Sequence, residues 1–314
     1  MNETTIMDAI GLDSLRAEFL SLAKEEGDFF NVLPGLNLHR KESKTPCELI
    51  CFQPRIVLIV QGTKTAKIGC MKEKLFQSGD CIAAGFELPD GTHYLEGSSE
   101  KPYLCISYFL KEELVQELLL KMNSNEMTSD VAPVMTTKAT ERIVQAFCSL
   151  LKTIHNPMEQ KVLAPIVERE LVFHILTSPL GAFYKQVFTP KEPYARIMKS
   201  IDFIHKNFRK TTDIDTLSAL ACMAPTTFHR HFKAFTQLSP KQFQKMLRLK
   251  EACRLIGEDH YSCRKAAEEV GYENQSQFNR EFKAQYGFTP QKLLSSHNLV
   301  DVNQNLPTVN FQVL

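Results

Sequence analysis

The sequence predicts a two-domain α+β protein, a β-rich half with flanking helices followed by an all-α half built on two helix-turn-helix units. Three observations predict it. The segment Phe228-His229-Arg230-His231-Phe232-Lys233-Ala234 returns 50 positions later as Phe278-Asn279-Arg280-Glu281-Phe282-Lys283-Ala284, and a repeat at fixed spacing is one structural unit built twice. Short β-rich runs bounded by Pro or Gly crowd residues 29–110. The charge is also divided. Residues 191–298 hold 18 Lys and Arg against 11 Asp and Glu, a net +7, while the rest holds 19 against 25, a net −6. A chain of 314 residues suits two domains.

Residues 1–28 read as an acidic amphipathic helix, with Leu12, Leu15, Phe19 and Leu22 on one face and Gly27 ending it. In 29–110 the runs 47–52, 56–60, 65–69, 80–84 and 103–109 are strands of a sandwich or barrel. Residues 111–178 return to helical periodicity. Their stripes are Leu114, Leu118 and Met122, then Ile143, Ala146, Phe147 and Leu150, then Ile166, Leu171, Phe173, His174 and Ile175. Pro179 to Pro193, with Gly181 and Pro190 between, reads as a linker. The all-α domain is set at 194–298, and the tail 299–314 lacks periodicity.

Each copy of the repeat reads as two short helices and a tight turn. In the first, Asp213 or Asp215 caps a helix with Leu217, Leu220 and Ala221 inward, and the turn falls at Cys222-Met223-Ala224. Pro225 opens the second helix, where a missing N–H costs nothing. Phe228, Phe232 and Phe235 bury, leaving Thr226, Thr227, His229, Arg230 and Lys233 exposed. In the second copy Ser262 caps, Ala266, Ala267 and Val270 face inward, and Gly271 turns the chain. Asn274 caps the next helix, Phe278, Phe282 and Tyr286 bury, and Gly287 closes it. Gln275, Ser276, Asn279, Arg280 and Lys283 stay exposed. Side chains of these kinds read base edges and grip phosphates, so double-stranded DNA is the expected partner. Between the copies, a helix from Pro240 to about Ile256 makes a rod of roughly 25 Å.

These residues resemble the AraC/XylS family of bacterial transcription regulators. The resemblance runs over about 194–296 and rests on Leu217-Ser218-Ala219-Leu220-Ala221, the repeated heptapeptide, Ser239-Pro240-Lys241-Gln242-Phe243, Leu247-Arg248-Leu249, Ala266-Ala267, Val270-Gly271-Tyr272 and Gly287-Phe288-Thr289-Pro290. Ala224 departs from it, standing where the family often has a Ser cap. The first half is similar to the N-terminal domain of one branch, through Leu33-Pro34-Gly35-Leu36, Pro54, Val60-Gln61-Gly62, Lys64, Gly79-Asp80, Leu88-Pro89 and Pro102-Tyr103-Leu104. The resemblance implies a cupin-like β-sandwich used for regulation, seven helices in the DNA-binding domain, and asymmetric DNA sites. It implies base readers at Thr226, His229 and Arg230, then at Gln275, Ser276, Asn279 and Arg280. It implies a small-molecule effector and a homodimer made by the helices after the sandwich. The expected protein is a cytoplasmic activator that meets RNA polymerase, although no residue separates activation from repression.

The residues argue against a hidden enzyme, cofactor or metal. The sandwich has His39 and His93, far apart and with no His-x-His pair, so a 2-His-1-carboxylate centre is not expected and each reads as a surface or loop residue. His229 and His231 would point about 200° apart on a helix and cannot chelate together. Cys47 and Cys51 in one strand would stand roughly 13 Å apart, too far for a disulfide. Cys81 and Cys105 fall among apolar neighbours and read as small hydrophobes. A thiol that senses oxidants stays open as the second reading, and a repair enzyme with a four-cysteine zinc centre as a third, for which no such centre is evident. Nine cysteines without a paired framework suit a reducing cytosol. No apolar run nears the roughly 20 residues that span a bilayer, and no signal peptide is expected.

Overall fold

The computed structural model describes residues 3–43, 46–47, 54–66, 74–85, 92–122 and 134–300. The chain divides into two compact units, 1–198 and 199–314.

The first unit opens with helix α1 (Glu3–Leu22), then strands β1 (Gly27–Leu33), β2 (Leu36–Lys41), β3 (Pro46–Cys47), β4 (Arg55–Gln61), β5 (Thr63–Ala66), β6 (Lys74–Gln77), β7 (Asp80–Ala84), β8 (Thr92–Glu96) and β9 (Tyr103–Phe109). Helix α2 (Glu112–Lys121), strand β10 (Val134–Lys138) and helices α3 (Glu141–Thr153), α4 (Pro157–Val162), α5 (Ala164–Thr177) and α6 (Gly181–Phe188) follow. One antiparallel sheet runs β1-β2-β9-β4-β7-β10 and the other β3-β8-β5-β6. The chain passes from β4 into β5 at Gly62, whose φ of +83° lies in the left-handed region that glycine enters freely. Alternation sends Leu36, Leu38, Ile56, Leu58, Val60, Leu104 and Ile106 into one core with Leu15 and Phe19 of α1, Phe147 of α3 and Leu171 of α5. The alternate residues Val57, Ile59, Tyr103, Cys105 and Ser107 are buried too, as a strand covered on both faces requires.

Several expectations change here. Helix α1 stops at Leu22, and Gly27 begins β1 instead of ending the helix. Strands β1 and β2 were not legible in the sequence. Strand β10, inside the stretch expected to be all helical, pairs with β7 along its whole length, from Val134 opposite Ala84 to Lys138 opposite Asp80. Half of the expected linker is helix α6, whose Phe183 and Tyr184 are fully buried in the first unit's core. The Tyr184 hydroxyl donates to the carbonyl of Arg55 at 2.9 Å. Of the third stripe, Leu171 and Ile175 are buried, but Ile166 and Phe173 are exposed. His39 is not a surface residue. It is buried in β2, with Nδ1 2.8 Å from Asp28 and Nε2 3.0 Å from Ser107. Cys81 and Cys105 are buried, and burial pushes the Cys81 thiol up to about 12. Cys51 and Cys70 lie outside the described residues, as do the side chains of Cys47 and His93.

The second unit takes in α7 (Pro193–Asn207), within which the boundary falls, and α8 (Ile214–Leu220), α9 (Pro225–Thr236), α10 (Pro240–Gly257), α11 (Cys263–Glu269), α12 (Gln275–Tyr286) and α13 (Pro290–Val300). Leu299 and Val300, expected in the tail, end α13, and 301–314 lie outside the described residues.

Candidate DNA interface

Both copies of the repeat form a helix, a turn and a second helix. Asp213 caps α8, its Oδ1 accepting from the Thr216 N–H at 2.7 Å. Leu217 and Ala221 face inward, while Leu220, expected inward, is exposed. Cys222 turns the chain at φ +50°, and the Met223 N–H bonds the Ser218 carbonyl at 2.9 Å. Ala224 supplies no side-chain cap to α9. In the second copy Ser262 caps α11, and Gly271 turns at φ +87° with the Tyr272 N–H on the Ala267 carbonyl at 2.9 Å. Asn274 caps α12, its Oδ1 2.9 Å from the Gln277 N–H. These turns align Cys222 with Gly271 and Met223 with Tyr272, one residue short of the 50-residue offset of α9 and α12. The extra residue lies in the second turn, so the inward pair Leu217 and Ala221 matches Ala266 and Val270, not Ala267 and Val270 with Leu217 and Leu220. That is why Leu220 falls outside.

The second helix of each copy is fixed by an aromatic spine. Phe228, Phe232 and Phe235 are buried in α9, as are Phe278 and Phe282 in α12, while Tyr286 is half-buried. Neighbouring rings lie 5.4 Å apart in the first spine and 5.5 Å in the second, a spacing favoured by aromatic pairs. On the other side of α9, Thr226, His229, Arg230 and Lys233 are exposed and Thr227 is half-buried. On α12, Ser276, Asn279, Arg280 and Lys283 are exposed, while Gln275 is half-buried. Its Nε2 reaches back to the Asn279 Oδ1 at 3.5 Å and the Cys263 carbonyl at 3.4 Å. All ten residues singled out in the sequence therefore sit on the two second helices. A stripe at i, i+3, i+4 and i+7, uncovered by the domain's own packing, can enter a major groove.

Helix α10 separates the copies. Its capping box is complete: Ser239 Oγ accepts from the Gln242 N–H at 3.2 Å, and Gln242 Oε1 accepts from the Ser239 N–H at 2.9 Å. Beside it a cleft of about 650 Å³ opens between the copies, walled by His229 of α9 and by Gln277 and Glu281 of α12. Burial and the neighbouring Glu281 push the Tyr272 hydroxyl upward, so it stays protonated and donates to Glu281 at 2.8 Å. Sequence reasoning missed this polar floor, because its members lie on three separate elements.

Two family models match the chain. Residues 32–183 match the AraC-type transcriptional regulator N-terminus, and 217–296 match a helix-turn-helix domain. Among curated relatives, a protein described as a probable transcriptional regulator, LumQ of Photobacterium leiognathi, is 23% identical over 207 residues, 63% of this chain and 84% of its own length. An uncharacterized HTH-type transcriptional regulator of Haemophilus influenzae is 33% identical over 86 residues, 27% of this chain and 29% of its own. Among solved structures, ToxT from Vibrio cholerae has a TM-score of 0.52 at 10% identity, covering 83% of this chain and 97% of that one. ToxT from Vibrio cholerae O395 bound to (E)-4-(8-methylnaphthalen-1-yl)but-3-enoic acid gives 0.51 at 11%, with the same coverage.

Proposed function

The chain belongs to the AraC-type transcriptional regulators, and from that premise we propose how it reads DNA and how it is controlled. Helices α9 and α12 enter successive major-groove segments. Thr226, His229 and Arg230 read one half-site, and Gln275, Ser276, Asn279 and Arg280 the other. Thr227, Lys233 and Lys283 hold the backbone. The observation that carries this reading is the pairing of a buried aromatic spine with an exposed polar and basic stripe, twice, at one offset. Two different sets of readers on one repeated frame call for an asymmetric site, its halves about one helical turn apart.

Control lies in the first unit. A small molecule is the effector, and the carboxylic acid named with ToxT makes an apolar acid the first class to try. A second copy of the chain docks on α4 and α5, where Met158, Val162, Leu163 and Ile166 are exposed large hydrophobics on consecutive turns. The protein's work is binding rather than catalysis, in the cytoplasm and together with RNA polymerase. Among the described residues no helix is long and apolar enough to cross a membrane.

Binding-site selection with the full chain tests the DNA reading. It should recover two unlike half-sites at a fixed separation, with an affinity that falls steeply as salt rises, because phosphate contacts release counterions. A single palindromic half-site, or association indifferent to salt, would overturn it.

A further inference from the structure

One side chain on α10 ties the segment that precedes the first helix-turn-helix to the turn of the second. The Arg248 Nε donates to the Phe208 carbonyl at 2.6 Å and Nη2 to the Arg209 carbonyl at 3.1 Å, on the segment that leads into α8. Its Nη1 donates to the Gly271 carbonyl at 2.9 Å, in the turn between α11 and α12. One helical turn earlier, Gln244 Nε2 donates to the Phe208 carbonyl at 3.1 Å and to that of Lys210. The guanidinium also lies over the Tyr272 ring, 5.9 Å from its centroid. Tyr272 in turn donates to Glu281, on α12 itself. A path of direct contacts therefore runs from the entry of the first copy, through Arg248, to the second helix of the other.

Gly271 lets this path close. A Cβ at that position would stand 1.9 Å from the Arg209 carbonyl oxygen, so segment and turn meet backbone to backbone. Three carbonyls converging there need a donor with several N–H groups in a fixed fork, which arginine has and lysine lacks. In the first copy Met223 stands where the second has Tyr272, and His231 where it has Glu281, so a tyrosine hydroxyl donating to a carboxylate belongs to the second copy. A cleft lies between α9 and α12, and α10 packs against both helices. Arg248 is thereby spent on the protein's own backbone, although it is a cation in a basic DNA-binding domain.

We propose that Arg248 is a positioning residue that determines half-site separation: by gripping the carbonyls of Phe208, Arg209 and Gly271 and the face of Tyr272, it fixes the attitude of α12 to the first copy. The inference rests on α9 and α12 being the two reading helices.

The test uses full-length wild type, Arg248→Met and Arg248→Lys. Each is titrated on duplexes carrying the selected half-sites at separations from a few base pairs shorter to a few longer, and on each half-site alone at low salt. Wild type should lose about tenfold or more when the separation moves off its optimum, as for a mismatched site. Arg248→Met should bind the optimal site about tenfold more weakly and discriminate separations by no more than about threefold, with each isolated half-site bound as by wild type. Arg248→Lys should fall between, restoring part of the preference. A Met variant that keeps the wild-type separation profile overturns the proposal, and so does one that loses an isolated half-site, since Arg248 would then be a DNA contact or a mere prop of α12. If Arg248→Met does not fold, Tyr272→Phe and Arg248→Lys decide, and an unchanged profile in both overturns it. Wild type that binds neither half-site overturns the reading of α9 and α12 instead.

Discussion

Arg230 and Arg280 occupy the same place on two helices 50 residues apart, and each is exposed. An arginine paired to guanine gives about 1–3 kcal/mol of discrimination. Arg230→Ala and Arg280→Ala should therefore each cost about that much and relax preference in one half-site only, read by repeating the selection with each variant. Loss at the same bases in both would show that the two helices do not read separately. The two closing glycines test backbone demands instead. Gly287 has φ +76° and nothing within 4 Å of where a Cβ would stand, whereas Gly271 has φ +87° and a carbonyl oxygen at 1.9 Å. Gly287→Ala should cost about 1–2 kcal/mol from the left-handed backbone alone. Gly271→Ala should cost clearly more, because backbone must move. Equal melting temperatures in the two variants would refute the wedge at Arg209. His39 carries a pH dependence. Burial lowers its affinity for a proton, against the pull of Asp28 and with the push of Arg55 and Lys64. The neutral ring donates from Nδ1 to Asp28, and Nε2 accepts from Ser107, whose oxygen accepts from Asn37 at 3.2 Å. The unfolded chain then binds the proton more readily, so stability is full above about 6.5 and falls as pH drops below it. Asp28 adds a second loss further down. Burial alone would raise its carboxyl, but bonds from His39 and Lys41 hold it at about 2, so its contribution goes between 3.8 and 2. The melting temperature of His39→Gln should be level through the first window, and a slope equal to wild type would exclude His39 as its cause.

Among helices α8 to α12, α9 is the one without a side-chain cap at its start. Asp213, Ser239, Ser262 and Asn274 cap α8, α10, α11 and α12, but Ala224 gives α9 nothing. Pro225 at the start removes one N–H from the demand, which softens the loss. A Ser at an N-cap is worth about 0.5–2 kcal/mol over Ala, so Ala224→Ser should raise the unfolding temperature of the DNA-binding unit. It should also slow amide exchange in the first turn of α9 relative to wild type. Unchanged exchange there would mean that packing of Phe228 already fixes the turn. The α8 turn shows how an element can be misread by one residue. The copies match at an offset of 50 in α9 and α12 and at 49 in α8 and α11, and only the fold reveals which side of the turn holds the extra residue.

For the whole molecule, the proposed docking of a second copy on the exposed face of α4 and α5 is open to a direct test. Val162 and Ile166 are 56% and 61% exposed, four residues apart across the junction of the two helices. Two aspartates there should give a monomer by sedimentation at a concentration where wild type is a dimer, with the melting temperature of the first unit kept because neither side chain is buried. A wild type already monomeric at micromolar concentration would refute docking of a second copy on this face.

The sequence by itself determined the class of each half, the repeat, the caps and the aromatic spines, because these depend on residues within a few positions of one another. It also placed all ten proposed DNA contacts on α9 and α12, since the 3.6-residue period separates a buried Phe stripe from an exposed polar one. Tertiary structure decided what joins distant segments. Strand β10 is a five-residue strand whose partner β7 lies some fifty residues earlier, and no local pattern names it. Helix α6 looked like a connector because of its flanking Pro and Gly, until Phe183 and Tyr184 found a core to bury in. His39 reads in the sequence as a surface or loop residue, and Arg248 stands there only within the motif Leu247-Arg248-Leu249. Their partners, Asp28 and Ser107 for one and three backbone carbonyls for the other, come together only when the chain is folded. Local periodicity fixes which face of an element is apolar, but which polar groups meet depends on long-range closure, which leaves no mark in neighbouring residues.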